Sequence, residues 1–124
     1  KNKIQFICMY MELNGKRSDE NIADTMGLLS AYKAYKRKQR KCDKPDDKLP
    51  GLEGLSTDKI CFLSYANKWC EYGDPDVDTV KEDTHSSARL RIIGTLSNSV
   101  DFAEAFNYTI GSSMNPKEKC NIWE

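Results

Sequence analysis

The chain has 124 residues, which is enough for one domain and too few for two of ordinary size. Its 19 lysine and arginine residues balance 19 aspartate and glutamate residues, so net charge gives no reason to expect nucleic acid or an anionic membrane as a partner. The longest apolar stretch, 4–11, is shorter than the roughly 18–20 residues that a membrane span needs. The composition therefore predicts one domain without a membrane span in these residues.

The first predicted helix begins near Ser18-Asp19, where either residue can cap the free amides and Glu20 suits the helix dipole. Apolar residues recur along it at helical spacing: Ile22, Ala23, Met26, Leu29, Ala34 and Tyr35, with Leu28, Ala31 and Tyr32 widening the stripe. The helix is expected to end near Gln39, among the cations Lys33, Lys36, Arg37, Lys38, Arg40 and Lys41. These cations indicate a solvated helix end, with phosphate or lipid binding as the alternative.

The rest of the chain predicts three shorter helices separated by loops. Prolines and glycines mark residues 42–54 as a loop. The helices are expected from Ser56-Thr57-Asp58 to about Cys70, from Ala88 to Leu96 and from Val100 to Phe106, with a turn at 73–76 and an irregular tail at 111–124. Only the first dozen residues are compatible with a strand. The fold class is therefore mainly α, with helices too few and too short for an obviously self-sufficient bundle.

Two acidic residues and one histidine are the candidates for chemistry. Glu20 and Asp24 are four residues apart, so they lie on one face of the first helix. A divalent cation would offset their repulsion, with Glu20 as ligand and Asp24 in support; the alternative is two acids favoured by the helix dipole. His85 is the only histidine, and Asp83 is close enough to orient it, although a lone histidine is often an ordinary surface residue.

The cysteines and one glycosylation motif indicate the cellular compartment in which the protein is expected to function. Five cysteines, Cys8, Cys42, Cys61, Cys70 and Cys120, leave at least one that cannot pair within the chain. No C-x-x-C pair is present, which argues against a zinc knuckle or a thioredoxin-like site. Asn107-Tyr108-Thr109 is an acceptor motif for N-glycosylation. Together these features favour an oxidising, extracellular setting.

A family resemblance appears in Glu20-Asn21-Ile22-Ala23-Asp24 and the Gly27-Leu28 that follows. This segment resembles the E-N-I-A-D-x-G-G signature of the neprilysin and endothelin-converting-enzyme family of zinc metallopeptidases. The resemblance continues from about Leu13 to Trp123, through Leu49-Pro50-Gly51-Leu52, Phe62-Leu63-Ser64-Tyr65-Ala66, Asp83-Thr84-His85-Ser86, Arg91-Ile92-Ile93-Gly94-Thr95-Leu96 and Met114-Asn115-Pro116. It implies that residues 1–124 form a single partial domain, the C-terminal portion of a thermolysin-like, neprilysin-type catalytic domain, with 1–12 as a divergent N-terminal segment.

The resemblance also assigns roles to four residues. It implies that Glu20 is the third protein ligand of a catalytic zinc and that Asp24 orients a zinc-binding histidine. His85 is then the residue that stabilises the oxyanion, and Arg91 holds a backbone carbonyl of the substrate. Fixed donors of this kind meet negative charge as it develops on the peptide carbonyl.

Departures from the family pattern limit what these 124 residues are expected to do alone. The family's H-E-x-x-H helix, which supplies two zinc ligands and the general base, does not occur in this sequence. One carboxylate does not hold a catalytic zinc, which needs about three protein ligands. Tyr108 stands where family members have a cysteine, and the family partner of Cys70 lies in a region absent from this sequence. The resemblance implies a disulfide between Cys8 and Cys120.

Two functions remain open at this stage. The first is the C-terminal portion of a neprilysin-like zinc metalloendopeptidase that acts on short peptides and is inactive without the upstream catalytic region or another chain. The second is a secreted, non-catalytic binding or decoy protein descended from such a peptidase. Whether these residues form an enzyme on their own is thus left open. Both functions imply an extracellular location, either secreted or in the ectodomain of a single-pass membrane protein, and neither involves nucleic acid.

Overall fold

The computed structural model describes residues 16–42, 48–71 and 85–120. These residues form four helices: α1 (Lys16–Lys41), α2 (Thr57–Lys68), α3 (Ala88–Asn98) and α4 (Val100–Ala105). The one β-pairing in the same residues is an isolated bridge between Ser112 and Asn115. The mainly α class with little or no strand is therefore confirmed. The first dozen residues, the only ones judged compatible with a strand, and the turn predicted at 73–76 lie outside the described residues.

Helix α1 is longer than the sequence pattern predicted. It begins at Lys16, so Ser18 and Asp19 lie within its first turns and the prediction that one of them is the cap was wrong. Its last turn carries Lys38, Arg40 and Lys41, as the helix dipole favours. No described helix is both long enough and apolar enough to cross a bilayer.

The three shorter helices lie close to their predicted positions. Ser56 caps α2, its side chain accepting a hydrogen bond from the backbone N–H of Lys59 at 3.3 Å. Ser99 ends α3 and caps α4 by accepting from the N–H of Phe102 at 3.1 Å. Helix ends differ from the predicted ones by one or two residues, which is ordinary fraying of terminal turns.

Aromatic and leucine side chains from all four helices make the core: Leu28 and Tyr32 of α1, Phe62 of α2, Leu96 of α3 and Phe102 of α4. Phe62 is only 1% exposed, and its ring stacks on Tyr32 at 4.8 Å between centroids and meets Phe102 edge-on at 5.5 Å. Around this core α1 packs against α3, and α2 packs against both α3 and α4. The N-terminal half of α1 is thereby brought to the beginning of α3.

Candidate functional site

The exposed part of the site is a contact between the start of α1 and the residues that precede α3. The Nε2 atom of His85 lies 3.3 Å from Oε2 of Glu20. Both side chains are partly open to solvent, with 41% of His85 and 40% of Glu20 exposed. The structure thus brings together the predicted metal ligand and the predicted oxyanion donor, which are far apart in the sequence.

One turn further along α1, Asp24 pairs with Arg91 of α3, 67 residues later in the chain. Arg91 donates from Nε to Oδ2 at 2.5 Å and from Nη2 to Oδ1 at 2.7 Å, which makes the ion pair bidentate. The two side chains are only 12% and 10% exposed. This pair fixes the beginning of α3 against α1 beneath the Glu20–His85 contact.

Two aromatic residues also contact Arg91: Tyr65 of α2, and Trp69, which caps the C-terminal end of α2. The guanidinium carbon lies 3.8 Å from the ring centroid of Trp69, and this stacked cation–π contact strengthens as water is excluded. The hydroxyl of Tyr65 donates to the backbone carbonyl of Arg91 at 3.4 Å. Burial raises the pKa of Tyr65 above its ordinary value, which keeps this donor protonated.

Trp69 was not among the site residues predicted from the sequence. The signal that bears on it is its spacing from Tyr65, because residues four apart on a helix lie on the same face. The two rings do meet edge-on, with centroids 6.4 Å apart. Spacing alone does not reveal that the cation stacked on this pair comes from α3.

The chemistry available at the site is that of one open carboxylate, one imidazole and one anchored guanidinium. Glu20 offers a single carboxylate ligand on an accessible surface. Residues 16–42, 48–71 and 85–120 contain no group of three histidine, cysteine, aspartate or glutamate side chains placed to hold a metal ion. A catalytic zinc needs about three protein ligands. The described residues therefore do not fit a complete zinc site by themselves.

The predicted disulfide is only partly within the described residues. Cys120 is disulfide-bonded, whereas Cys42, Cys61 and Cys70 are free. Asn98, the last residue of α3, holds the backbone at Cys120 by accepting from its N–H at 2.7 Å and donating to its carbonyl at 2.8 Å. Cys8 lies outside the described residues, so its pairing with Cys120 stays a prediction.

Comparison with known proteins shows the family to which the chain belongs. Residues 5–122 match the model of peptidase family M13. Similar proteins include Neprilysin-2 of Caenorhabditis elegans, 44% identical over 116 residues that cover 91% of this chain and 16% of that protein. Neprilysin of Homo sapiens is 44% identical over 114 residues, covering 90% of this chain and 15% of the relative. Endothelin-converting enzyme 1 of Rattus norvegicus is 41% identical over 114 residues with the same coverage, 90% and 15%.

This chain belongs to peptidase family M13. The resemblance inferred from Glu20-Asn21-Ile22-Ala23-Asp24 and the later motifs is thereby confirmed. The chain spans about a sixth of the length of the curated relatives it matches. Family membership is therefore shown for this segment, whereas the activity of a whole enzyme is not.

Proposed function

We propose that this chain is the C-terminal part of the catalytic region of a neprilysin-like zinc metalloendopeptidase that cleaves short peptides. The observation that carries the proposal is the convergence of Glu20 with His85 and of Asp24 with Arg91 on one side of the α1–α3 contact. Residues distant in the sequence meet there in the pairs that a peptidase site needs: a metal-binding carboxylate beside an oxyanion donor, and an anchored cation.

In this proposal Glu20 supplies one ligand to a zinc ion, which acts as a Lewis acid when bound. His85, next to it, donates a hydrogen bond to the substrate carbonyl oxygen as negative charge develops there. Arg91 donates two N–H groups to Asp24, and in this proposal the guanidinium that is anchored in this way binds a backbone carbonyl of the peptide. Asp24 positions Arg91, and its other lone pairs are available to orient a zinc-binding histidine from outside the described residues.

The remaining zinc ligands and the general base are proposed to come from an H-E-x-x-H helix outside these 124 residues, in the same polypeptide or in another chain. The 124 residues alone are then inactive. Exposed Cys70 is free for a disulfide with such a region. The proposed location is extracellular, either secreted or in an ectodomain, because the cysteines and the acceptor motif at Asn107 suit an oxidising compartment.

A second candidate is a secreted binding or decoy protein that keeps the ancestral surface without catalysis. The incomplete set of metal ligands among the described residues favours it. The two candidates differ in one measurable respect, which is whether this chain can complete a working zinc peptidase when the rest of the catalytic region is supplied.

A chimera tests the choice directly: the matching C-terminal segment of human neprilysin is replaced by this chain, and hydrolysis of a quenched peptide is followed with a chelator control. We expect chelator-sensitive cleavage. Glu20→Gln should abolish cleavage and lower the zinc content. Glu104→Gln, which changes an exposed acid on α4, is the matched control and should leave both unchanged. A secreted, folded chimera that binds zinc without cleaving peptide would overturn the peptidase proposal in favour of the binding protein.

A further inference from the structure

We propose that Asn107 carries an N-linked glycan and that this glycan covers an apolar surface patch formed by Val100, Tyr108 and Ile110. The inference concerns a face of the molecule away from the peptidase residues and goes beyond the proposed function. It rests only on the extracellular location proposed with that function, because N-glycans are added in the secretory pathway.

The backbone at the end of α4 presents Asn107 to solvent. Phe106 caps the helix, and Asn107 follows it with a φ of 57°, in the left-handed region that asparagine tolerates better than most residues. The N–H of Asn107 donates to the carbonyl of Glu104 at 3.1 Å, and the N–H of Tyr108 donates to that of Ala103 at 2.9 Å. This pair of bonds is a Schellman motif, which ends the helix and leaves the asparagine exposed at the surface.

The rest of the acceptor motif is fixed in an accessible conformation. Asn115 donates from Nδ2 to the carbonyl of Tyr108 at 2.7 Å. The ring of Tyr108 stacks on Phe102 with centroids 5.5 Å apart and on Phe106 at 6.2 Å. Thr109, whose hydroxyl the glycosylating enzyme requires, is exposed beside it. All three motif residues thus lie on the surface while the turn that carries them is anchored to the core.

Three apolar side chains are exposed on the surface around Asn107, beside the charged residues Glu104, Lys117 and Lys119. Ile110 is 72% exposed, Val100 is 56% exposed and Tyr108 is 38% exposed. These three residues and Asn107 line the same open cleft between α4 and the tail. Clustered apolar side chains at this exposure mark an interaction site or a cause of aggregation. A sugar attached at Asn107 begins inside this cleft, and the C–H faces of its rings can pack on Tyr108 and Ile110.

The sequence makes the attachment simple to test, because Asn107 is the only asparagine followed two positions later by serine or threonine without an intervening proline. The chain is expressed in eukaryotic cells behind a cleavable secretion signal and digested with peptide N-glycosidase. We expect a fall in apparent mass on digestion and conversion of Asn107 to aspartate in the peptide map. Thr109→Ser should keep the glycan, while Thr109→Ala and Asn107→Gln should lose it.

The shielding part of the proposal needs a second measurement on the same secreted protein. Binding of an apolar dye is compared before and after enzymatic removal of the glycan under native conditions, so that no variant has to fold. We expect dye fluorescence to rise on removal, and Ile110→Ser to reduce that rise. Unchanged dye binding would overturn the shielding, and a secreted chain without sugar at Asn107 would overturn the whole inference. Neither readout depends on zinc or peptidase activity, so failure here is distinct from failure of the proposed function.

Discussion

At the scale of single residues, Arg91 connects more parts of the site than any other side chain described above. Its guanidinium donates two hydrogen bonds to Asp24 and stacks on Trp69, and its backbone carbonyl accepts a hydrogen bond from the Tyr65 hydroxyl. A guanidinium suits this position because its planar donors match a carboxylate while its face packs on an aromatic ring. Loss of Arg91 would therefore disturb the site and the packing of α3 together.

This arrangement predicts a large loss of stability for Arg91→Met. The substitution leaves Asp24 buried without its ion-pair partner, which should lower the free energy of unfolding by about 3 kcal/mol. Urea unfolding of the purified chain, followed by tryptophan fluorescence, measures the change.

The matched control is Lys36→Met, which breaks a surface ion pair with Asp58 at 3.1 Å whose side chains are 35% and 28% exposed. Its expected cost is below about 1 kcal/mol, since solvent screens exposed pairs. Equal costs for the two variants would mean that burial of the Asp24–Arg91 pair contributes nothing.

What the sequence could predict at this scale depended on distance along the chain. The four-residue spacing placed Glu20 and Asp24 on one helical face. Their partners His85 and Arg91 lie on a different element, and spacing carries no information about contacts between elements. Only the family resemblance indicated that the four residues belong together, and it did not indicate that Arg91 takes both oxygens of Asp24.

At the scale of elements, the junction between α3 and α4 depends on a capping serine. The side chain of Ser99 accepts from the N–H of Phe102, which places Phe102 in the core at the first turn of α4. Ser99→Ala should lower the free energy of unfolding by about 1 kcal/mol. Ser87→Ala is the control, because Ser87 precedes α3 without making a side-chain capping bond and should have little effect. Urea unfolding of both variants checks this, and similar losses for the two would contradict the capping account.

Helix α2 is expected to depend on one core residue. Phe62→Ala removes the ring that joins Tyr32 and Phe102, and should cost about 3–5 kcal/mol. Leu63→Ala changes the next residue, which is 44% exposed, and should change stability by no more than about 0.5 kcal/mol. Thermal unfolding followed by circular dichroism compares the two variants. A Phe62→Ala variant as stable as Leu63→Ala would contradict the central position of Phe62 in the core.

The sequence predicted the existence of the helices well and the buried face of α1 less well. Caps, glycines and prolines mark helix ends locally, so four helices were expected where four are described. Along α1 the expected apolar stripe included Leu28 and Tyr32, which enter the core, and also Ala23, Ala31 and Ala34, which are exposed. Small alanines fit either face, so the large side chains that α2 and α4 can cover decide which face is buried.

At the scale of the whole molecule, three wholly or partly buried weak acids, Tyr32, Cys61 and Tyr65, predict a loss of stability at alkaline pH. Burial raises the pKa of Cys61 above 9.0, and it raises the pKa values of Tyr32 and Tyr65 above 10.0. As pH rises past these ordinary values, the unfolded chain loses the three protons while the folded chain keeps them, so unfolding becomes more favourable. Burial lowers the pKa of Lys119, so this one group makes unfolding less favourable as pH rises.

We therefore expect the urea midpoint to fall as pH rises above 9.0. Tyr32→Phe keeps the ring in the core and removes one of the three protons, so its midpoint should fall less steeply than that of the unmodified chain. A midpoint that rises over the same range, or the same slope for both proteins, would contradict the assignment of these shifts to burial.

The central proposal is that these 124 residues contribute one zinc ligand, Glu20, and do not form a complete catalytic site by themselves. Zinc content and chelator-sensitive cleavage of a quenched peptide, measured together on the purified chain, test it most directly. We expect no tightly bound zinc and no cleavage, because about three protein ligands are needed and the described residues bring no such group together. One zinc per chain with cleavage that a chelator abolishes would contradict it.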